Sequence, residues 1–206
     1  MEWIDGKRRC RWANPKNERY IRYHDEEWGV PVYDDQKLFE MLILECFQAG
    51  LSWECVLNKR EAFREAFDDF DLNKICDYDE RKLESLRNDP GIIRNRLKIR
   101  AAVTNAQIFR EIQQEYGSFS AYLWHWTDGR IIYENTLATS PLSDEISKDL
   151  KKRGMKFVGT TVVYAYLQAV GVINSHEDGC FLSQKNRQTK ECKNEQEEWT
   201  PIHFIR

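Results

Sequence analysis

Apolar residues along this chain fall mostly at helical spacing, and the strict alternation of a half-buried strand is nearly absent. Asp34 and Asp35 are suited to cap a helix over residues 36–49, which Gly50 ends in a left-handed turn. Leu38, Phe39, Leu42 and Phe47 give that helix an apolar face, and Met41, Ile43 and Leu44 widen it until little polar surface remains. The helix is therefore central and buried. Glu45 is its anomaly, because a carboxylate there needs a partner or a purpose. Ser52 predicts a second helix over 53–67, and Asp77 or Asp79 a third that ends near Arg87. A tight turn at Asn88-Asp89-Pro90-Gly91 leads into a long helix over 92–116, with Leu97, Val103, Ala106, Phe109 and Ile112 on its apolar face. Residues 118–132 are Trp-rich and read as irregular, Ser143 predicts a helix to Arg153 ended by Gly154, and a last core helix covers 160–170. Residues 130–133 are too short a β signal to anchor a sheet. The prediction is an all-α fold with an N-terminal extension over 1–9, one domain in two helical lobes over 10–181, and a polar tail over 182–206.

Composition narrows the class. The 206 residues suffice for one well-cored domain, and 32% charged with 41% apolar residues is ordinary for a soluble globular protein. A net charge of −3 lends no support to a nucleic-acid partner, yet Arg94, Arg96, Lys98 and Arg100 crowd one stretch and Lys151, Lys152, Arg153 and Lys156 another. A local basic face is compatible with an acidic total; so are two ordinary solvated helix faces. No signal peptide opens the chain, and 162–173, its longest nearly apolar run, is too short to span a bilayer. Six cysteines at 10, 46, 55, 76, 180 and 192 lack a disulfide-framework spacing, which fits a reducing cytoplasm.

Three constellations carry candidate chemistry. Cys10 and His24 near the start, with His176 and Cys180 near the finish, offer two thiolates and two imidazoles, a closed tetrahedral set for a structural Zn²⁺. The His176-x-x-x-Cys180 spacing suits two ligands one helical turn apart, but six cysteines and four histidines also make accidental quartets. The second constellation is the Pro90-Gly91 turn before a basic helix start. It has the form of a helix–hairpin–helix element, in which turn amides and a helix N-terminus face a DNA phosphate; an ordinary helical hairpin has the same outline. The third is aromatic. Tyr20, Tyr23, Trp28 and Trp53 with Glu45 would suit a flat purine, and the carboxylate would favour a cationic one. On the alternative reading the rings are core and Glu45 pairs with an arginine.

The segments Tyr20-Ile-Arg-Tyr-His-Asp-Glu-Glu-Trp-Gly-Val-Pro31, Lys37-Leu-Phe-Glu-Met41, Gln48-Ala-Gly-Leu-Ser-Trp53, Gly91-Ile-Ile-Arg-Asn-Arg96 and Lys151-Lys-Arg-Gly-Met-Lys-Phe-Val-Gly-Thr-Thr161 resemble the 3-methyladenine DNA glycosylase I family, in order and from about Cys10 to Cys180. The resemblance implies a helix–hairpin–helix DNA glycosylase fold with a structural zinc on Cys10, His24, His176 and Cys180 joining the N- and C-terminal segments. It implies that Glu45 is the base-recognising acid, Trp53 the stacking ring and Tyr23 a pocket tyrosine, with Tyr20, Trp12 and Trp28 nearby. Leu51 matches a residue that wedges into the gap left in DNA, and Gly91, Arg94, Arg96 and Lys98 fall on the DNA-contacting hairpin. Cys46 and Phe47 depart from the small residue and glutamine that often follow the family's acid.

The implied partner is double-stranded DNA carrying alkylated bases, met by a monomer, and the implied reaction is hydrolytic release of 3-methyladenine. A methylated purine is already cationic and leaves as a neutral base, so no general acid is required. In keeping with that, no Asp lies between Gly91 and Thr127, where many relatives with this hairpin place one, and no lysine stands out as a Schiff-base nucleophile. Two other readings stay open: a zinc-stapled helical DNA-binding module without catalysis, and a glycosylase for a neutral lesion such as oxidised guanine.

Overall fold

The structure, a computed structural model, describes residues 5–184. Helix α2 (Asp35–Gln48) is its spine: every residue from Leu38 to Phe47 is buried, the two glutamates included. Asp34 caps it by accepting from the Lys37 amide, and Gly50 follows its end at φ +83°. Around α2 pack α3 (Trp53–Asn58), α7 (Arg96–Tyr116), α8 (Phe119–His125) and α10 (Thr160–Ala169). The remaining helices are α1 (Glu18–Glu26), α4 (Arg60–Ala66), α5 (Leu72–Cys76), α6 (Glu80–Asn88) and α9 (Pro141–Arg153). Two residue pairs, Ile132–Tyr133 (β1) and Ile173–Asn174 (β2), form a short parallel ladder. Among the described residues no helix is long and apolar enough to cross a membrane.

The all-α expectation holds, and its departures have local causes. The predicted helix 53–67 is two helices, broken at Lys59. The long helix begins at Arg96 rather than residue 92, because Asn95 caps it through the Leu97 and Lys98 amides. Residues 118–132 are not irregular throughout. Ser118 starts α8, and the Asp35 carboxylate accepts from the Phe119 and Ser120 amides. That tertiary cap comes from the far side of the sequence, where no local pattern could announce it. The α9 cap is Ser140, with Pro141 in the first turn; Ser143 is the reciprocal member of the capping box. Helix α1, capped by Asn17, was not expected at all. Much of the polar tail, residues 185–206, lies outside the described residues.

Segment 29–32 lies against the C-terminal end of α10, where Gln168 and Val170 carbonyls accept from the Gly29 and Val32 amides. This contact requires Gly171. Its φ is +76°, and a Cβ there would sit 2.3 Å from the Val30 carbonyl carbon. Gly171→Ala meets both a left-handed backbone and a backbone overlap that no rotamer relieves. The substitution is expected to destabilise the fold by more than about 2 kcal/mol, read as a lowered midpoint in thermal denaturation.

Candidate active site and metal centre

The six residues expected to form a pocket do line one cavity of about 290 Å³: Trp12, Tyr20, Tyr23, Trp28, Glu45 and Trp53. Helix α1 supplies the tyrosines, α2 the acid and α3 Trp53, while Trp12 and Trp28 flank α1. The rings brace one another, with Trp12 and Trp28 edge to face at 4.8 Å and Tyr23 and Trp53 at 5.3 Å between centroids. Sequence reasoning missed Gln48, Asn135, Ala165, Gln168, Ser175 and Glu177, which complete the wall. Gln48 and the pair Ala165 and Gln168 follow from helical spacing once α2 and α10 are known to face the cavity; nothing local marks Asn135.

Glu45 is 4% exposed and, among the described residues, no basic side chain pairs with it. The arginine that could have done so goes elsewhere. Arg60 donates to Glu40 Oε1 at 2.7 Å and to Glu27 Oε2 at 2.8 Å. Burial alone pushes the Glu45 carboxyl up to about 8. Burial, then the nearby Glu45, keep Tyr23 protonated, and Tyr20 is raised to about 12, again chiefly by burial. The cavity therefore offers hydroxyl donors, aromatic faces and two carboxyl groups, of which the buried Glu45 ionises readily only when a positive charge arrives.

Cys10, His24, His176 and Cys180 converge from the two ends of the chain, all buried, with their ligand atoms within 4.8 Å of one another. His176 and Cys180 are joined by a turn rather than a helix, so the expected helical spacing of this pair is corrected while its convergence stands. The outer partners fit a metal site. His24 Nδ1 is 2.8 Å from Asp25 Oδ1, and His176 Nε2 is 3.2 Å from the Trp28 carbonyl. Both partners can only accept, so those nitrogens carry the protons and the opposite nitrogens turn lone pairs toward the sulfurs. Arg9 locks Asp25 in turn with two hydrogen bonds of 2.6 and 2.8 Å, which gives the N-terminal extension a structural task the sequence did not disclose. The four buried ligand atoms are close enough together for the quartet to hold one metal ion.

The hairpin residues divide. Leu51 is 41% exposed and lines an open groove together with Pro90, Ile92, Ile93 and Arg94; Arg96 is also exposed. Lys98 is not available to a phosphate. It is buried, and its Nζ donates to the Phe47 and Ala49 carbonyls at 2.9 and 2.5 Å. The Gly91 amide is likewise taken, by Asp89 Oδ1 at 2.7 Å. A Cβ there would be tight, 3.0 Å from Asp89 Oδ1 and 3.1 Å from Ala62 Cβ.

The site is a ring-walled cavity that ends on a buried carboxyl group, a form suited to a flat heterocycle. A profile of the methyladenine glycosylase family matches residues 12–183. DNA-3-methyladenine glycosylase 1 of Escherichia coli (strain K12) is 45% identical over 185 residues, spanning 87% of this chain and 98% of that protein. A crystal structure of a 3-methyladenine DNA glycosylase I superposes with a TM-score of 0.82 at 44% identity, over 85% of this chain and 100% of that one. A second, in complex with 3-methyladenine, gives 0.78 at 37% identity over 80% and 92%. The chain belongs to the methyladenine glycosylase family.

The acidity of Glu45 sets a pH dependence. Its folded-state pKa lies above its unfolded value, so the folded chain keeps this proton longer. The contribution is intact below about pH 4.5 and is lost progressively as pH rises toward about 8. At about 1.4 kcal/mol per pKa unit, the loss amounts to a few kcal/mol at most. Denaturant titrations between these limits should show stability declining with pH, and Glu45→Gln should flatten that decline.

Proposed function

We propose that this chain is a monofunctional DNA-3-methyladenine glycosylase, acting as a cytoplasmic monomer on alkylated double-stranded DNA. The observation that carries the reading is the unpaired, buried Glu45 at the end of an aromatic cavity. The damaged nucleotide leaves the stack, at a cost of a few kcal/mol that is least for a base that already stacks and pairs badly. Trp53 and Tyr23 receive the ring faces, Trp12, Tyr20 and Trp28 close the slot, and Glu45 ionises against the base's positive charge. A methylated purine then departs as a neutral molecule while water attacks the sugar, leaving an abasic site; no general acid and no lysine nucleophile are needed. Neutral adenine meets a carboxyl group that has no cation to stabilise its charge. A zinc-stapled DNA-binding module without catalysis has no use for such a cavity, and a neutral oxidised purine has no use for its anionic end.

The α6–turn–α7 segment is read as a helix–hairpin–helix element, with Leu51, Arg94 and Arg96 on its DNA side. Zinc is the ion that best suits the quartet. Three of the four Sγ–N separations, at 3.5 to 3.6 Å, are close to the ~3.6 Å edge expected for tetrahedral Zn²⁺ with ~2.3 Å bonds to sulfur and ~2.05 Å to nitrogen. With four protein ligands the ion supplies cohesion and no reaction step.

Base release from methylated DNA, with the freed base identified, tests the whole reading. Glu45→Gln is expected to slow single-turnover release by about one to two decades, the scale of a charge-assisted hydrogen bond worth roughly 1.5–3 kcal/mol; an unchanged rate removes Glu45 from the mechanism. Metal analysis of the purified chain should find about one zinc, and Cys180→Ser should lose it together with thermal stability.

A further inference from the structure

We infer that Lys98 is a positioning residue for base excision: it ties the turn that faces DNA to the helix end that carries Glu45. The inference rests on the functional reading above. Lys98 stands in the first turn of α7, beside residues of opposite fate. Arg94 and Arg96 are exposed, and so is Leu97 at 72%, whereas the Lys98 side chain runs inward and leaves the residue 6% exposed. Its ammonium donates to the carbonyls of Phe47 and Ala49. These sit at the C-terminal end of α2, where carbonyls lack helical partners and the helix dipole is negative, so a buried cation is stabilised there.

What that end of α2 carries makes the contact consequential. Glu45 lies two residues before Phe47. Gln48, between the two acceptors, lines the cavity and donates from Nε2 to the Leu51 carbonyl at 2.7 Å, which folds the loop that projects Leu51 into the groove. The turn is also held from its other side. Lys59, at the α3–α4 junction, donates to the Pro90 and Gly91 carbonyls at 3.3 and 3.0 Å. Two lysines thus bind protein carbonyls around a segment whose arginines, Arg94 and Arg96, are exposed. Once that segment grips the DNA backbone, the acid, Gln48 and Leu51 follow it as one body. Loss of the Lys98 link frees the pocket end of α2 to shift against the turn, and a displacement of about 1 Å can cost of the order of a hundredfold in rate.

Lys98→Met removes the charge and keeps the stem; Lys98→Arg keeps donors. Single-turnover release at saturating methylated DNA, measured well below each variant's melting temperature, should fall about tenfold to a hundredfold in Lys98→Met and recover partly in Lys98→Arg. The salt dependence of binding to undamaged duplex should not change, because Lys98 touches no phosphate. Release at the wild-type rate in Lys98→Met overturns the inference, as does a salt slope reduced by about one. A wild-type chain that releases no base sinks the functional reading as well, whereas an active wild type with an equally active Lys98→Met sinks Lys98 alone. Reductive methylation of the wild-type protein followed by mass spectrometry decides the matter if Lys98→Met does not fold. Lys98 should resist labelling with and without abasic duplex; labelling in the free protein that DNA suppresses marks a phosphate contact and refutes the assignment.

Discussion

A buried carboxyl group with no counter-charge among the described residues is the constraint around which this molecule is organised. Helix α2 buries two glutamates five residues apart and treats them in opposite ways. Glu40 is also desolvated, but Arg60 and Arg64 bind it and hold its pKa below the ordinary carboxylate range. Glu45 has no such partner, and its acidity is set by burial alone. Within a helix that has no solvent-facing side from Leu38 to Phe47, neither residue can swing out to water. The paired glutamate is part of the framework. The unpaired one faces the cavity instead.

The cavity around that acid is built from distant parts of the chain. Trp28 lies edge to face with His176 at 4.7 Å between centroids, and Trp12 stands 5.2 Å from the His24 ring. The aromatic wall and the Cys/His quartet are therefore neighbours in direct ring contact, not separate modules. Arg9 and Asp25 extend the connection outward, so a change at the first described residues can reach the pocket through His24. Across the molecule, Lys59 and Lys98 connect the same pocket to the hairpin through backbone carbonyls. Wall, staple and hairpin are coupled mechanically even though each uses different chemistry.

How much of this was legible beforehand depended on whether the deciding contact was local. The α2 helix, its Asp34 cap and the oddity of Glu45 were readable because periodicity, capping and polarity all act within a few residues. The pocket rings and the metal quartet were legible from residue type only as candidates, beside a core reading and an accidental quartet, and the motif resemblance decided between these and added Trp12. Helix α8 was hidden because Asp35 caps it from the far end of the sequence, and a short aromatic stretch gives little periodicity of its own. Lys98 was misjudged for a related reason. Charge in a basic run reads as surface, and only the fold reveals that this one ammonium turns inward to meet α2. Asn95 was a local signal that was simply overlooked in favour of the glycine turn.

Cys10 and His176 meet across a separation of 166 residues, with Trp12 and Trp28 beside them. Growth of the chain on a ribosome gives that separation a temporal meaning. Glu45, the tyrosines and the whole hairpin emerge long before Ser175, Glu177 and Cys180, so a nascent chain carries much of the cavity wall before the segment that closes it has been made.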